Sequence, residues 1–184
     1  MNKKEILKET KRLQKLLNEK NAEKATYIDD IFEQIKKAIL EFESLFDEYR
    51  NLLYPDVFSG KKELTEAEEK NERDLIKRMN DCIERISRAV GAFERIFESN
   101  GRLYIRNIDE ANNNFVDIAG TYDYVKKRYK LVKNETKKVS NLFDLLQKSI
   151  TSLDSNIQDY NAQNETELYT IGTALYVFNQ ESPK

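Results

Sequence analysis

Residues 28–53 read IDDIFEQIKKAILEFESLFDEYRNLL, and the spacing of their apolar side chains decides the fold. Ile28, Ile35, Phe42 and Tyr49 recur every seven residues. Ile31, Ala38, Leu45 and Leu52 follow each of them by three places, and Phe32, Ile39, Phe46 and Leu53 by four. Three parallel apolar rows are wider than a two-stranded seam needs and suit a helix with at least two neighbours in a bundle. On the N-terminal side, Ile6, Leu13, Leu16 and Leu17 make a second amphipathic patch. Polar residues 18–24 then shift the heptad phase, and we read them as a hinge or stutter in an element running from about Lys3 to Tyr54.

Beyond that element, Tyr54-Pro55 stops the helix, because the residue before proline avoids the helical region and proline has no amide donor. Thr65 and Glu68 form a capping box that opens a second helix reaching about Ser99, with rows Ile76, Ile83, Val90, Phe97 and Met79, Ile86, Phe93. Asn100-Gly101 is a left-handed stop. Leu103, Tyr104 and Ile105 plug the end of the core, and Asn107 with Glu110 opens the next helix. From there Ile108, Phe115, Tyr122, Tyr129, Thr136, Phe143, Ile150 and Ile157 run beside Ala111, Ile118, Val125, Val132, Val139, Leu146, Leu153 and Tyr160 in one unbroken phase. A single helix of that length measures about 75 Å, with Gly120 as its weak point.

The fold class is therefore all-α: an elongated antiparallel bundle of three long helices over residues 1–164, or four if the third breaks within 134–141, then a short apolar element over 165–184. Charge supports a register. An antiparallel hairpin about residues 100–106 brings residue 132 near 73, so the basic run Lys126, Lys127, Arg128, Lys130, Lys133, Lys137, Lys138 faces Glu66, Glu68, Glu69, Glu72 and Asp74. Glu41, Glu43, Asp47 and Glu48 of the first helix lie at the same level. That register leaves two apolar overhangs: the patch around Leu13, and residues 142–160. The unbroken phase favours a continuous helix whose Leu142, Phe143, Leu146, Ile150, Leu153 and Ile157 meet another copy or another protein; the alternative folds them back as a fourth helix. Leu168, Ile171, Leu175 and Phe178 share one helical face, although residues 173–178 also suit an edge strand; this segment either closes the bundle end or docks a partner.

The chemistry is sparse. The 31 basic and 33 acidic side chains leave a formal charge of -2, with no global field for nucleic acid or anionic lipid. There is no histidine, the five glycines form no phosphate-binding run, and the single Cys82 neighbours core residue Ile83 and reads as packing. We expect no enzyme, no metal and no cofactor. Tyr122, Tyr129 and Tyr160 sit in apolar rows with hydroxyls free to reach the core boundary. Lys126, Lys127, Arg128, Lys130 and Lys133 are candidate anion-binding residues. Phe58-Ser59-Gly60 resembles, over three residues and with Phe in place of Trp, the aromatic-x-Gly turn of small secreted helical-hairpin proteins, and no function is carried over from it. No apolar run is long enough to span a membrane, the N-terminal residues lack a signal-peptide core, and a cytoplasmic location is expected. The expected function is a non-enzymatic helical scaffold, adaptor or chaperone-like protein that packs on a protein partner or on itself; the alternative is a nucleic-acid-associated or phage- or plasmid-type regulatory protein using residues 126–138.

Overall fold

The computed structural model describes residues 2–23, 26–56 and 58–181, with side chains throughout these except at 18–23. The chain is all-α: α1 (Lys3–Glu23), α2 (Ile28–Leu53), α3 (Glu66–Glu98), α4 (Ile108–Val132), α5 (Ser140–Asn164) and α6 (Ile171–Glu181), with a 3-10 turn at Lys137–Val139. The first long element is interrupted. Helix α1 runs through most of the expected hinge to Glu23, and the extended residues Thr26–Tyr27 separate it from α2; Lys24 and Ala25 lie outside the described residues. Two short strands, β1 (Thr26–Tyr27) and β2 (Leu103–Tyr104), pair in parallel with Thr26 opposite Leu103.

The helix ends follow their local chemistry. Thr65 accepts from the Glu68 amide while the Glu68 carboxylate accepts from the Thr65 amide, a complete capping box. Asn100, at φ 53°, ends α3 in the left-handed region, and the Gly101 amide donates to the Ile96 carbonyl at 2.7 Å. Asn107 accepts from the amides of Asp109 and Glu110 at the head of α4.

Helices α2 to α5 form a four-helix bundle in which α2 and α3 pack as an antiparallel hairpin, whereas α4 and α5 meet near the turn that joins them, where Tyr129 stacks on Phe143. Parallel β1 and β2 start α2 and α4 from the same end, so α2 lies beside α4, α3 lies beside α5, and α3 and α4 are not neighbours. The chain between α3 and α4 therefore crosses the bundle end. Leu103 is buried there and its carbonyl accepts from the Tyr160 hydroxyl at 3.0 Å. Buried Asp29 of α2 accepts from the amides of Arg106 and Asn107 at 2.9 and 3.1 Å, which anchors the head of α4 to the head of α2. Of the plug expected at 103–105, Leu103 is buried and Ile105 packs half-buried against the core, while Tyr104 is exposed.

The favoured continuous third helix is corrected by the structure. Helix α4 ends at Val132, whose carbonyl accepts from the amides of Glu135 and Thr136 and from the Thr136 hydroxyl, and the chain reverses through the 3-10 turn. Thr136 and Val139 are both buried, so both apolar rows keep their phase through a turn that is not α-helical. Helix α5 then returns along the bundle and buries Leu142, Phe143, Leu146, Ile150, Leu153, Ile157 and Tyr160. Phe143 lies edge-on to Phe42 and Phe46 of α2 and stacks on Tyr129 of α4 with ring centroids 3.7 Å apart. The expected facing of residues 132 and 73 is adjusted too. Glu72, 4% exposed, is met by Lys138 of the turn at 2.6 Å, not by α4 itself.

Helix α6 packs along α4. Its approach is set by two asparagines that act as surrogate backbone. Asn112 donates to the Glu167 carbonyl and accepts from the Tyr169 amide, and Asn161 donates to the Leu168 carbonyl and accepts from the Leu168 amide. Asp154 accepts from the Ile171 amide at 2.7 Å, at the first turn of α6. Phe178 lies over Gly120, where an added Cβ would come within 2.6 Å of its ring.

Candidate interaction surface

The residues expected to bind a partner on α5 and the C-terminal element are used inside the chain, and that expectation is corrected. Leu142, Phe143, Leu146, Ile150, Leu153, Ile157 and Leu168 are buried, Ile171 and Leu175 are partly buried against the same core, and only Phe178 among them remains exposed at 37%. Their apolar area is already removed from water by α2, α3 and α4, so displaying it would require opening the bundle.

One expected overhang persists. Every side chain from Asn2 to Leu17 is exposed, and Ile6, Leu7, Leu13, Leu16 and Leu17 stand at 51, 57, 57, 50 and 52%. The helix that carries them is locally well made. Asn2 accepts from the amides of Lys4 and Glu5, the Glu5 carboxylate accepts from the Asn2 amide, and Thr10 donates to the Ile6 carbonyl. Ile6, Thr10, Leu13 and Leu17 follow a 4-3-4 spacing down one face, flanked by Leu7 and Leu16. Lys4, Lys8, Lys11 and Lys15 follow the same spacing on the opposite face. Apolar positions of α2 that repeat in this way are between 0 and 4% exposed along Ile28, Ile31, Phe32 and Ile35, so the contrast lies in the absence of cover and not in the pattern.

The basic segment is on the surface but is not one cluster. Lys126, Lys127, Lys130 and Lys133 are exposed. Lys127 pairs with Asp123 at 2.8 Å, and the Arg128 guanidinium lies 4.8 Å over the Tyr124 ring. The Tyr124 hydroxyl donates to Asp47, and burial together with that carboxylate pushes the phenol up. Tyr122, Tyr129, Lys126, Phe143 and Asp144 line a cavity of about 50 Å³ between α4 and α5, room for a single small side chain.

In two other hollows some of the lining charges already have partners. One of about 410 Å³ lies against Gln34, Lys37, Arg85 and Arg88, where Lys37 pairs with Glu33 and Arg85 with Glu41. Another of about 330 Å³ includes Lys62 and Lys138, bound to Glu68 and Glu72. Cys82 is buried and its thiol is pushed up, first by burial and then by Glu41, with Arg85 opposing, so its surroundings favour the protonated thiol over the nucleophilic thiolate. Among the described residues no group of three or more Cys, Asp or Glu side chains is placed to hold a metal ion, and no helix is long and apolar enough to cross a membrane.

Phe58, 97% exposed in the turn between α2 and α3, was not singled out as an anchor by its sequence context, because nothing in Phe58-Ser59-Gly60 says whether the ring turns inward. The roles of Asn112, Asn161 and Asp154 were equally silent, since isolated polar residues on a helix read as solvent-facing. Compared with protein-family models, curated proteins and solved structures, the chain matches none.

Proposed function

We propose that this protein is a non-enzymatic adaptor or scaffold in which the four-helix bundle is a rigid body and α1 is the arm that engages a protein partner. The observation that carries this reading is the exposed face of Ile6, Leu7, Leu13, Leu16 and Leu17 on a helix with its own N-terminal cap, attached to a bundle whose apolar rows are covered. A helix of this kind recognises a groove or another helix through anchors at i, i+3, i+4 and i+7. The bundle contributes a fixed attachment point: β1, which follows α1, is held by pairing with β2 and by Tyr27 beneath the Arg106 guanidinium at 3.7 Å.

The test is affinity capture from the source cells with the unaltered chain and with an Ile6→Glu, Leu13→Glu, Leu17→Glu variant that retains the thermal unfolding midpoint of the bundle. Partners recovered by the first and lost by the second support the reading. Equal recovery by both rejects α1 as the docking element.

A second reading rests on the exposure of Lys126, Lys127, Lys130 and Lys133 along one face of α4 and assigns the chain to nucleic-acid-associated regulation. Binding to mixed-sequence DNA or RNA that weakens steeply with salt would favour it, and no binding at low salt would remove it.

A further inference from the structure

We infer that residues 166–181, α6 with the segment leading into it, form a strap that lifts as a unit from the flank of α4 while α2 to α5 stay folded. Lifting uncovers an apolar surface that the closed chain hides. The inference stands apart from the reading of α1 as a docking arm.

The seat of the strap is one flank of α4. The rows through Phe115 and Ile118 face the bundle core, and α2 holds one side of α4, where Lys36 pairs with Asp117 at 2.7 Å and the Tyr124 hydroxyl donates to Asp47. Asn112, Val116 and Gly120, each one turn from the next, run down the other side with Ala119 beside them, and all four are buried. Helix α5 meets α4 near the turn that joins them, so it does not cover this flank along its length. The strap does. Asn112 holds the Glu167 carbonyl and the Tyr169 amide, and the Phe178 ring lies over Gly120.

The hold of the strap on this seat is slight beside that of the bundle helices on one another. Helix α6 has 11 residues, fewer than the about 12–15 at which a helix becomes even marginal by itself, so contact with α4 is what keeps it helical. Ala174 is its one buried residue, whereas α5 buries eight. Tyr176 and Phe178 remain 66 and 37% exposed with the strap closed. The free energy of a local opening follows the apolar area it exposes, and the strap therefore opens well below the free energy of global unfolding.

The fastenings are of a kind that water replaces. Asn161 pairs with the amide and carbonyl of Leu168, and Asp154 accepts from the Ile171 amide at 2.7 Å. Asn161 and Asp154 are only half-buried with the strap closed, so lifting it hands both to solvent and strands neither in the core. The chain leaves α5 through Glu165, at φ 52° in the left-handed region, which gives the strap a defined hinge. An open strap thus presents Val116 and Ala119 on α4, together with the Leu168 side chain that is 3% exposed when closed.

Thiol labelling of the folded, full-length chain tests this, with Cys82, 0% exposed on α3, as an internal reference for global unfolding. A thiol introduced under the strap by Val116→Cys is expected to react at least about 100-fold faster than Cys82 without urea, and to accelerate less steeply as urea is added. Phe178→Ala should speed that labelling roughly 10-fold or more, because it removes the ring that pins the strap. Ile39→Val, in the core of α2 away from α6, should speed Cys82 about 2- to 10-fold and leave the thiol under the strap unchanged. Ala119→Cys repeats the measurement at a second covered position, and it carries the test if Val116→Cys lowers the unfolding midpoint. The inference is overturned if the introduced thiol reacts at the rate and with the urea dependence of Cys82, or if Ile39→Val speeds both thiols equally. Labelling as fast as an exposed Lys127→Cys thiol, or unaffected by Phe178→Ala, also overturns it, since the strap would then cover nothing.

Discussion

Two side chains illustrate what the interior demands at the scale of the residue. The Tyr49 phenol, 1% exposed, is pushed up to about 12, first by burial and then by the charge of Glu72. The fold therefore favours the neutral phenol. Its contribution to stability is fully present below the unfolded value near 10 and is lost as pH rises from there through about 12. Urea denaturation at pH 9 and at pH 11.5 should show a loss of roughly 2 kcal/mol from this group, and Tyr49→Phe should make the alkaline loss shallower. Gly120 argues from shape. Alanine in a helix interior is favoured over glycine by about 1 kcal/mol, yet its Cβ here would strike the Phe178 ring. Gly120→Ala should destabilise by about 1 kcal/mol because overpacking exceeds the propensity gain, and in a Phe178→Ala background the same change should become stabilising. The pattern alone marked Gly120 only as a weak point, because close approach of α6 is a property of two segments 50-odd residues apart and leaves no local signature.

At the scale of the element, the informative case is the reversal between α4 and α5. The rows through Thr136 and Val139 were legible as core positions and are core positions. What periodicity does not encode is whether the backbone between two core positions is helical, since a turn spanning a whole heptad restores the same phase. Composition held the better signal: residues 133–138 read KNETKK, with no apolar side chain to keep the stretch against a neighbour, and Thr136 ends α4 by donating its hydroxyl to the Val132 carbonyl. If α5 lies in the core as described, Leu153→Ala should cost about 2–5 kcal/mol in chemical denaturation, the cost of a buried leucine. A helix extended into solvent would lose less than about 0.5 kcal/mol from the same change. The helix termini were the most readable elements, because the caps at Thr65, Asn100 and Asn107 are satisfied by neighbours within a few residues.

At the scale of the whole molecule, helical content and the covered faces of α2 and α3 were legible, whereas adjacency was not. Sequential helices are usually neighbours. Here α3 and α4 are held apart because the crossing segment pairs β2 with β1 and hands its amides at Arg106 and Asn107 to Asp29, contacts between residues more than 70 positions apart. The consequence is functional. Fold-back of α5 and docking of α6 cover the surfaces that the stripe pattern offered to a partner; α1 keeps five exposed aliphatic side chains, while exposed residues such as Leu131, Leu145 and Tyr176 stand on other helices. A helix of this length with an uncovered face is marginal by itself and gains stability when that face is covered.

Amide hydrogen exchange, followed segment by segment, tests the covered bundle and the uncovered α1 most directly. Strong protection is expected across α2 to α5, including residues 142–160, with fast exchange in α1 of the purified chain. Residues 142–160 exchanging as freely as α1, or α1 as strongly protected as the bundle, would contradict it.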